Sequence, residues 1–118
     1  MVNFWRFFIT SGSVGLMTKT IAILVEKDFQ DMEVMYPYYR LKEAGHHVVV
    51  VGSGSAESYT GKFGYPIKVD KKADQVSAAD FDAIVIPGGW SPDFMRRYPA
   101  MVQLVAAMDA AKKPVAAI

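Results

Sequence analysis

The feature that most constrains the fold of this chain is a short apolar strand followed by two glycines and a helix start, within residues 81–93. Ala83–Ile86 is apolar and rich in β-branched residues, which is typical of a strand buried on both faces of a parallel sheet. Pro87 ends this run. Gly88 and Gly89 then allow a sharp turn whose N–H groups are not covered by side chains. The pattern predicts a strand–turn–helix unit.

The residues after the turn predict a helix N-terminus that can hold negative charge. Ser91 is a good N-cap, Pro92 is tolerated in a first turn, and Asp93 meets the positive end of the helix. Bare amides beside a helix N-terminus can stabilise an anion. The alternative is a loop that only turns the chain, and these residues alone leave both interpretations open.

Strand and helix patterns alternate through residues 17–118. This alternation predicts an α/β fold with a doubly wound, mostly parallel sheet of flavodoxin type and main-strand order 2-1-3-4. A ligand crevice is then expected between the loops Glu26–Asp31 and Gly88–Asp93, and Asp31 is expected to cap the first helix. The predicted elements are strands Thr20–Val25, His47–Val51 and Val115–Ile118, helices at about Met32–Ala44 and Pro99–Ala111, and a hairpin of Ser58–Thr60 with Ile67–Val69.

Composition excludes several classes of function. Thirteen basic and twelve acidic residues give a net charge of +1 with no basic block, so nucleic acid is not an expected partner. No apolar run reaches the roughly 18 residues of a membrane span. The chain has no cysteine, which excludes disulfides, thiolate metal sites and a cysteine nucleophile within it. His46 and His47 are adjacent on a strand and point to opposite faces, so neither a metal nor a cofactor is predicted.

Residues 1–16 differ in composition from the rest of the chain. They contain an aromatic cluster, Phe4–Ile9, and a linker-like stretch, Ser11–Gly15. We predict that residues 1–16 are an extension or a mis-assigned start, disordered or loosely packed, and that residues 17–118 form one domain.

Several motifs, taken together and in order, resemble the PfpI/ThiJ superfamily, closest to its intracellular-protease branch (peptidase C56). The resemblance runs from about Met17 to Ile118. It implies a flavodoxin-like fold related to the class I glutamine amidotransferases, and a cysteine nucleophile on the turn directly after the last strand. The sequence stops one residue short of that position, so we expect an incomplete sheet in a fragment or remnant that is inactive alone. The motifs are Phe29–Glu33, Tyr36–Gly45, Gly61–Tyr65, Phe81–Ala83, Ile86–Gly89 and Lys113–Ile118.

The resemblance also implies roles for individual residues. Gly89, with Gly88, matches the oxyanion-hole glycines. Asp93 matches an acid that reaches a histidine of a neighbouring subunit, which implies a homodimer or a larger ring. Gln30 matches a position where many members place a glutamate against the nucleophile, and an amide there cannot titrate. Asp31 or Glu33 could compensate, but helix capping and a solvated face are the preferred interpretation of both.

The expected function of the complete protein is therefore that of a cytoplasmic cysteine-dependent hydrolase. It would be either a peptidase or a deglycase, acting on a small carbonyl or peptide substrate without a cofactor. Two alternatives stay open. One is a non-catalytic, stress-related binding or chaperone-like member, and the other is an amidotransferase-like domain.

Overall fold

A computed structural model describes residues 17–118, and the predicted extension, residues 1–16, lies outside the described residues. The described part of the chain forms strands, three α-helices and two short 3₁₀ turns. The strands are β1 (Thr20–Val25), β2 (His47–Gly52), β3 (Ser58–Thr60), β4 (Pro66–Lys68), β5 (Lys71–Lys72), β6 (Ala83–Ile86) and β7 (Val115–Ala117). The helices are α1 (Asp31–Glu43), α2 (Ser91–Met95) and α3 (Pro99–Ala110), and the 3₁₀ turns are Ala73–Gln75 and Ala78–Asp80.

Five strands form one parallel sheet in the order β5-β2-β1-β6-β7, and β3 and β4 form a separate antiparallel hairpin. The predicted α/β class and the order of the four main strands are confirmed. The two-residue strand β5 was not predicted, because Lys71 and Lys72 carry no apolar signal. Parallel strands bring their carboxyl ends to one edge, where the loop after β1 and the turn after β6 are neighbours.

The sheet is buried on both faces because successive residues of its central strands point to opposite sides. Ile21 and Ile23 face the layer that contains α1 and the hairpin, and Leu24 faces the layer that contains α3. Val34 and Leu41 form the inner face of α1. Helix α3 contributes Met101, Leu104 and Met108.

Asp31 does not cap α1, although the sequence predicts that it should. The N-cap residue is Gln30, and no side chain makes a capping hydrogen bond. The buried Asp31 carboxylate instead accepts hydrogen bonds from the backbone N–H groups of Phe63 (3.0 Å) and Tyr65 (2.9 Å). Gly61 packs against this carboxylate with no room for a Cβ atom. The prediction failed because aspartate is suited both to cap a helix locally and to accept hydrogen bonds from a distant segment. In this fold the bonds to the distant segment form in place of the cap.

The Asp31 contacts fix the β3–β4 turn to the first turn of α1. Burial alone would raise the pKa of Asp31, but the N–H groups of Phe63 and Tyr65, its own N–H and the nearby Lys62 ammonium lower it, and the net direction is downward. The carboxylate therefore stabilises the folded state in its ionised form.

Asp31→Asn keeps the shape of the side chain and removes the charge that the two N–H groups face. We expect the free energy of unfolding at neutral pH to fall by about 2 kcal/mol, in the range of hydrogen bonds to charged groups. Since the folded-state pKa lies below the unfolded one, this stabilisation is present above pH about 4 and is lost as the pH falls through the folded value. Urea unfolding at neutral pH and below pH about 3 measures the change.

Exposed Asp109→Asn is the matched control, and its effect should stay within about 0.5 kcal/mol at both pH values. An Asp31→Asn variant as stable as the wild type at neutral pH would contradict the role assigned to the carboxylate.

Candidate active site

The double-glycine turn after β6 is joined to the loop after β1 by backbone pairing. Phe29 and Gly89 form an isolated antiparallel bridge. On its two sides, Gln30 N–H donates to Gly88 O (3.2 Å) and Trp90 N–H donates to Asp28 O (2.9 Å). The two loops therefore do not border an open crevice, in contrast to the expectation from the sequence. They meet and hold each other in register.

Gly89 is held in a conformation that suits glycine alone. Its φ is +75°, and a Cβ atom there would lie 2.6 Å from Gln30 N and 2.7 Å from Asp28 O. The hydrogen bonds of the bridge flank Gly89, and its own N–H donates to no acceptor within residues 17–118. Gly89 is also exposed. Its amide is thus available to a ligand.

Gly88 has a different environment. Its N–H donates to Oε2 of Glu33 at 2.7 Å. A Cβ atom on Gly88 would lie 2.5 Å from that oxygen and 3.1 Å from the carbonyl oxygen of Ile118. Because Ile118 N–H in turn donates to Ile86 O (3.1 Å), Gly88 lies beside the tip of β7. The structure therefore brings Gly88, Glu33 and the end of β7 together.

Glu33 is the functional candidate that sequence reasoning undervalued. The preferred interpretation of a solvated face is wrong, since Glu33 is half-buried and bonded to the turn. A signal was present in the sequence. Glu33, Pro37 and Leu41 are spaced by four residues, and Pro37 and Leu41 are buried. Glu33 extends this buried row to the carboxyl edge of the sheet.

Gln30 and Asp93 lie near the turn without joining this cluster. Gln30 is paired to Gly88 through its backbone N–H, and its side chain makes no capping bond. The Asp93 carboxylate is exposed and paired with Arg96 (3.5 Å) and Arg97 (3.4 Å), which directly follow its helix. Exposed pairs of this kind contribute little to stability, so the carboxylate can exchange them for another partner at small cost.

Ser91 is not the N-cap that the sequence predicts, because α2 begins at Ser91 itself and Trp90 is the N-cap residue. The Ser91 hydroxyl is fully buried. It donates to the carbonyl of Glu26 (3.0 Å) and accepts from the N–H of Glu26 (2.9 Å). This side chain therefore fixes the start of α2, and with it the double-glycine turn, to the end of β1.

A buried carboxylate supports the same edge from the other side. Glu26 accepts hydrogen bonds from the hydroxyls of Ser53 and Ser55, the latter at 2.8 Å. The hydroxyl of Tyr59 lies 3.0 Å from that of Ser53 and 2.8 Å from that of Ser55. The loops after β1 and β2 are thereby tied together. Hydrogen-bonded in this way, the Glu26 carboxylate is satisfied and has a structural role.

An apolar cavity of about 600 Å³ lies beside β7, and its lining does not include the predicted site residues. Its lining is mainly aliphatic and comes from α2, α3 and β7, with Met95, Val102, Val105 and Ile118 among its members. It offers packing surface rather than reactive groups. Within residues 17–118, no three potential metal ligands form a group, and no helix has the length and apolar character needed to cross a bilayer.

The arrangement at the turn can stabilise a developing negative charge. It combines one unoccupied N–H at Gly89, a carboxylate held 2.7 Å from the neighbouring N–H, and the end of the parallel strand β7. Donors held in fixed positions of this kind stabilise an oxyanion without reorganising during the reaction.

Comparison with known proteins agrees with this geometry. Residues 19–118 match the model of the DJ-1/PfpI family. YraA of Bacillus subtilis, which is provisionally named a cysteine protease, is 42% identical to this chain. The match covers 86% of this chain and 60% of YraA. The chain is also 42% identical to a deglycase of Pyrococcus horikoshii, over 83% of this chain and 58% of the deglycase.

A solved structure shows the same fold. It is a two-domain protein of Anabaena variabilis with DJ-1/ThiJ/PfpI-like and ferritin-like domains, at a TM-score of 0.82 and 44% identity, over 85% of this chain and 29% of that one. The chain spans 58 to 60% of the length of the two relatives above. With a family match over nearly its whole described length and a flavodoxin-like fold, the chain belongs to the DJ-1/PfpI family.

Proposed function

We propose that the complete protein is a cytoplasmic cysteine-dependent hydrolase of PfpI type, a peptidase or a deglycase acting on a small carbonyl or peptide substrate. This chain contributes the anion-stabilising side of the reaction centre. The observation that carries the proposal is the unoccupied Gly89 N–H, held beside a Gly88 N–H that positions the Glu33 carboxylate. The names of the relatives in the Bacillus and Pyrococcus species support both reaction types.

In the proposed reaction, a thiolate from the segment after β7 attacks the carbonyl carbon of the substrate. Negative charge then develops on the carbonyl oxygen, and the Gly89 N–H stabilises it. Glu33 is the titratable group next to the attack position and can carry a proton between thiol and substrate. Gln30, the N-cap residue of α1, cannot take this role, because its side-chain amide does not titrate.

The proposed assembly is a homodimer or a larger ring in which Asp93 completes the centre of a neighbouring subunit. Its carboxylate is exposed, and within residues 17–118 its ion-pair partners are Arg96 and Arg97, directly after α2. A histidine of a neighbour can replace either arginine as its partner without breaking a buried contact.

A non-catalytic binding protein is the second candidate. The amide at Gln30 favours it, since that position carries no titratable group in this chain. The residue that follows Ile118 in the gene separates the two candidates. A cysteine there supports the enzyme, and any other residue supports the binding protein.

We expect the 118-residue chain alone to show no turnover of methylglyoxal or of a peptide substrate, because it contains no cysteine. The complete gene product should be active, and its activity should be lost on thiol alkylation. Assays of both proteins at equal concentration test this. Turnover by the 118-residue chain would overturn the thiolate mechanism.

Glu33→Gln in the complete protein keeps an oxygen that can accept from Gly88 N–H and removes the titratable group. We expect kcat/KM to fall by about 10²- to 10⁴-fold, the range of general acid–base catalysis, with the melting temperature little changed. Glu57→Gln, an exposed glutamate of the β2–β3 loop, is the matched control and should be close to wild type. Equal activity of the Glu33→Gln variant and this control would exclude Glu33 as the proton carrier.

A further inference from the structure

Trp90 follows the double-glycine turn directly, and the proposed reaction gives its side chain no role. The residue is 67% exposed, although tryptophan is large, apolar and usually buried over most of its surface. Among residues 17–118, its indole has no partner in a hydrogen bond or a ring contact. Its apolar surface is therefore available to a ligand.

The backbone of Trp90 is fixed even though its ring is uncovered. Its N–H donates to Asp28 O (2.9 Å), and its carbonyl accepts from the N–H groups of Asp93 (3.0 Å) and Phe94 (3.4 Å). The next residue, Ser91, is bonded to the end of β1 through its buried hydroxyl. A ring carried on a backbone restrained in this way loses little conformational entropy on binding.

The aromatic ring one turn further along α2 is occupied by cations. Phe94 lies four residues after Trp90, on the same side of the helix. The Lys27 ammonium is 4.4 Å from the centroid of the Phe94 ring, and the Arg97 guanidinium is 4.8 Å from it. These cation–π contacts cover Phe94. The indole of Trp90 therefore stays in solvent and does not pack along its own helix.

Trp90 is close to the position at which a substrate carbonyl would bind. In the proposed reaction, the carbonyl oxygen accepts a hydrogen bond from the N–H of Gly89. Consecutive Cα atoms are about 3.8 Å apart across a trans peptide, and the described chain has no cis peptide. The Gly89 N–H thus lies between the N–H that holds Glu33, on Gly88, and the residue that carries the indole. A group attached to the bound carbonyl comes within reach of that indole.

We propose that Trp90 is a specificity-determining residue of the candidate active site, and that it binds an aromatic group attached to the reacting carbonyl of the substrate. The inference rests on the proposed function, because the Gly89 N–H defines where the carbonyl lies. An aromatic group can stack on the indole and cover apolar surface that is otherwise in water. The favoured substrates are aryl-substituted dicarbonyls or peptides with an aromatic residue at the scissile bond, in preference to their aliphatic counterparts.

A binding experiment tests this subsite without turnover. Benzoylformate and pyruvate are α-keto acids that differ in carrying a phenyl or a methyl group on the ketone. We expect the complete protein to bind benzoylformate about tenfold more tightly than pyruvate, the range of one aromatic contact together with the area it buries. Isothermal titration calorimetry measures both dissociation constants.

Two substitutions at the same position separate the ring from its apolar character. Trp90→Leu keeps an apolar side chain and removes the ring, so the preference for benzoylformate should fall to about threefold or less. Trp90→Phe is the matched control and should retain most of the preference, because it keeps an aromatic face. The exposure of Trp90 means that neither change removes core packing, which the melting temperature checks.

Initial rates with phenylglyoxal and methylglyoxal measure the same preference during the reaction. In Trp90→Leu, the ratio of kcat/KM for the aromatic to the aliphatic substrate should fall about tenfold, mainly through KM, because the contact is present before the chemical step. The ratio should stay within about twofold of the wild type in Glu57→Gln, whose side chain is exposed and lies outside the site.

The outcomes distinguish this inference from the proposed function. Equal affinity of the wild type for the two acids would overturn the subsite. A preference that Trp90→Leu leaves unchanged, or that Trp90→Phe loses to the same extent as Trp90→Leu, would also overturn it. Absence of turnover with both dicarbonyls would instead overturn the proposed function, whereas a Trp90-dependent preference for benzoylformate would still support the subsite.

Discussion

The pairing of Phe29 with Gly89 is the contact on which the rest of the carboxyl edge depends. It joins the loop after β1 to the turn after β6 through two backbone hydrogen bonds. Only glycine can occupy position 89, since its φ is +75° and a Cβ atom would meet the backbone of the opposite loop. The pairing uses the carbonyl of Gly88 and leaves the N–H of Gly89 without an acceptor in the described part of the chain. A structural requirement thus creates the group that the proposed chemistry needs.

The two glycines are required for different reasons. Gly89 is needed for its backbone conformation, whereas Gly88 is needed for space, because Glu33 and Ile118 approach its Cα atom. The turn is further fixed by Ser91, whose buried hydroxyl bonds both backbone groups of Glu26. The Ser91 hydrogen bonds and the Phe29–Gly89 pairing together restrain the double-glycine turn. Its N–H groups are therefore directed before any ligand arrives, which is the condition for effective oxyanion stabilisation.

The sequence predicted the parts of the fold that depend on burial. Strands β1 and β6 were placed with the correct bounds because a parallel strand buried on both faces is apolar throughout. Strand β5 was missed because Lys71 and Lys72 are polar and pair only through the backbone. The flavodoxin-type class and strand order came from the alternation of strand and helix patterns, whereas the family came from several spaced motifs, which single elements could not have provided.

The details of the site were harder to predict, since they depend on where polar side chains find distant partners. Asp31 and Ser91 were both expected to act as local helix caps. Each instead bonds a backbone more than 30 positions away in sequence. Glu33 was likewise expected in solvent and lies against Gly88. Residue type predicts that such a group needs partners, but only the fold determines which partners come within reach.

Helix α1 connects the core to the candidate site. One side of the helix is buried through Val34 and Leu41, and its first turn directs Glu33 to Gly88. The packing of α1 against the sheet therefore sets the position of the carboxylate at the double-glycine turn.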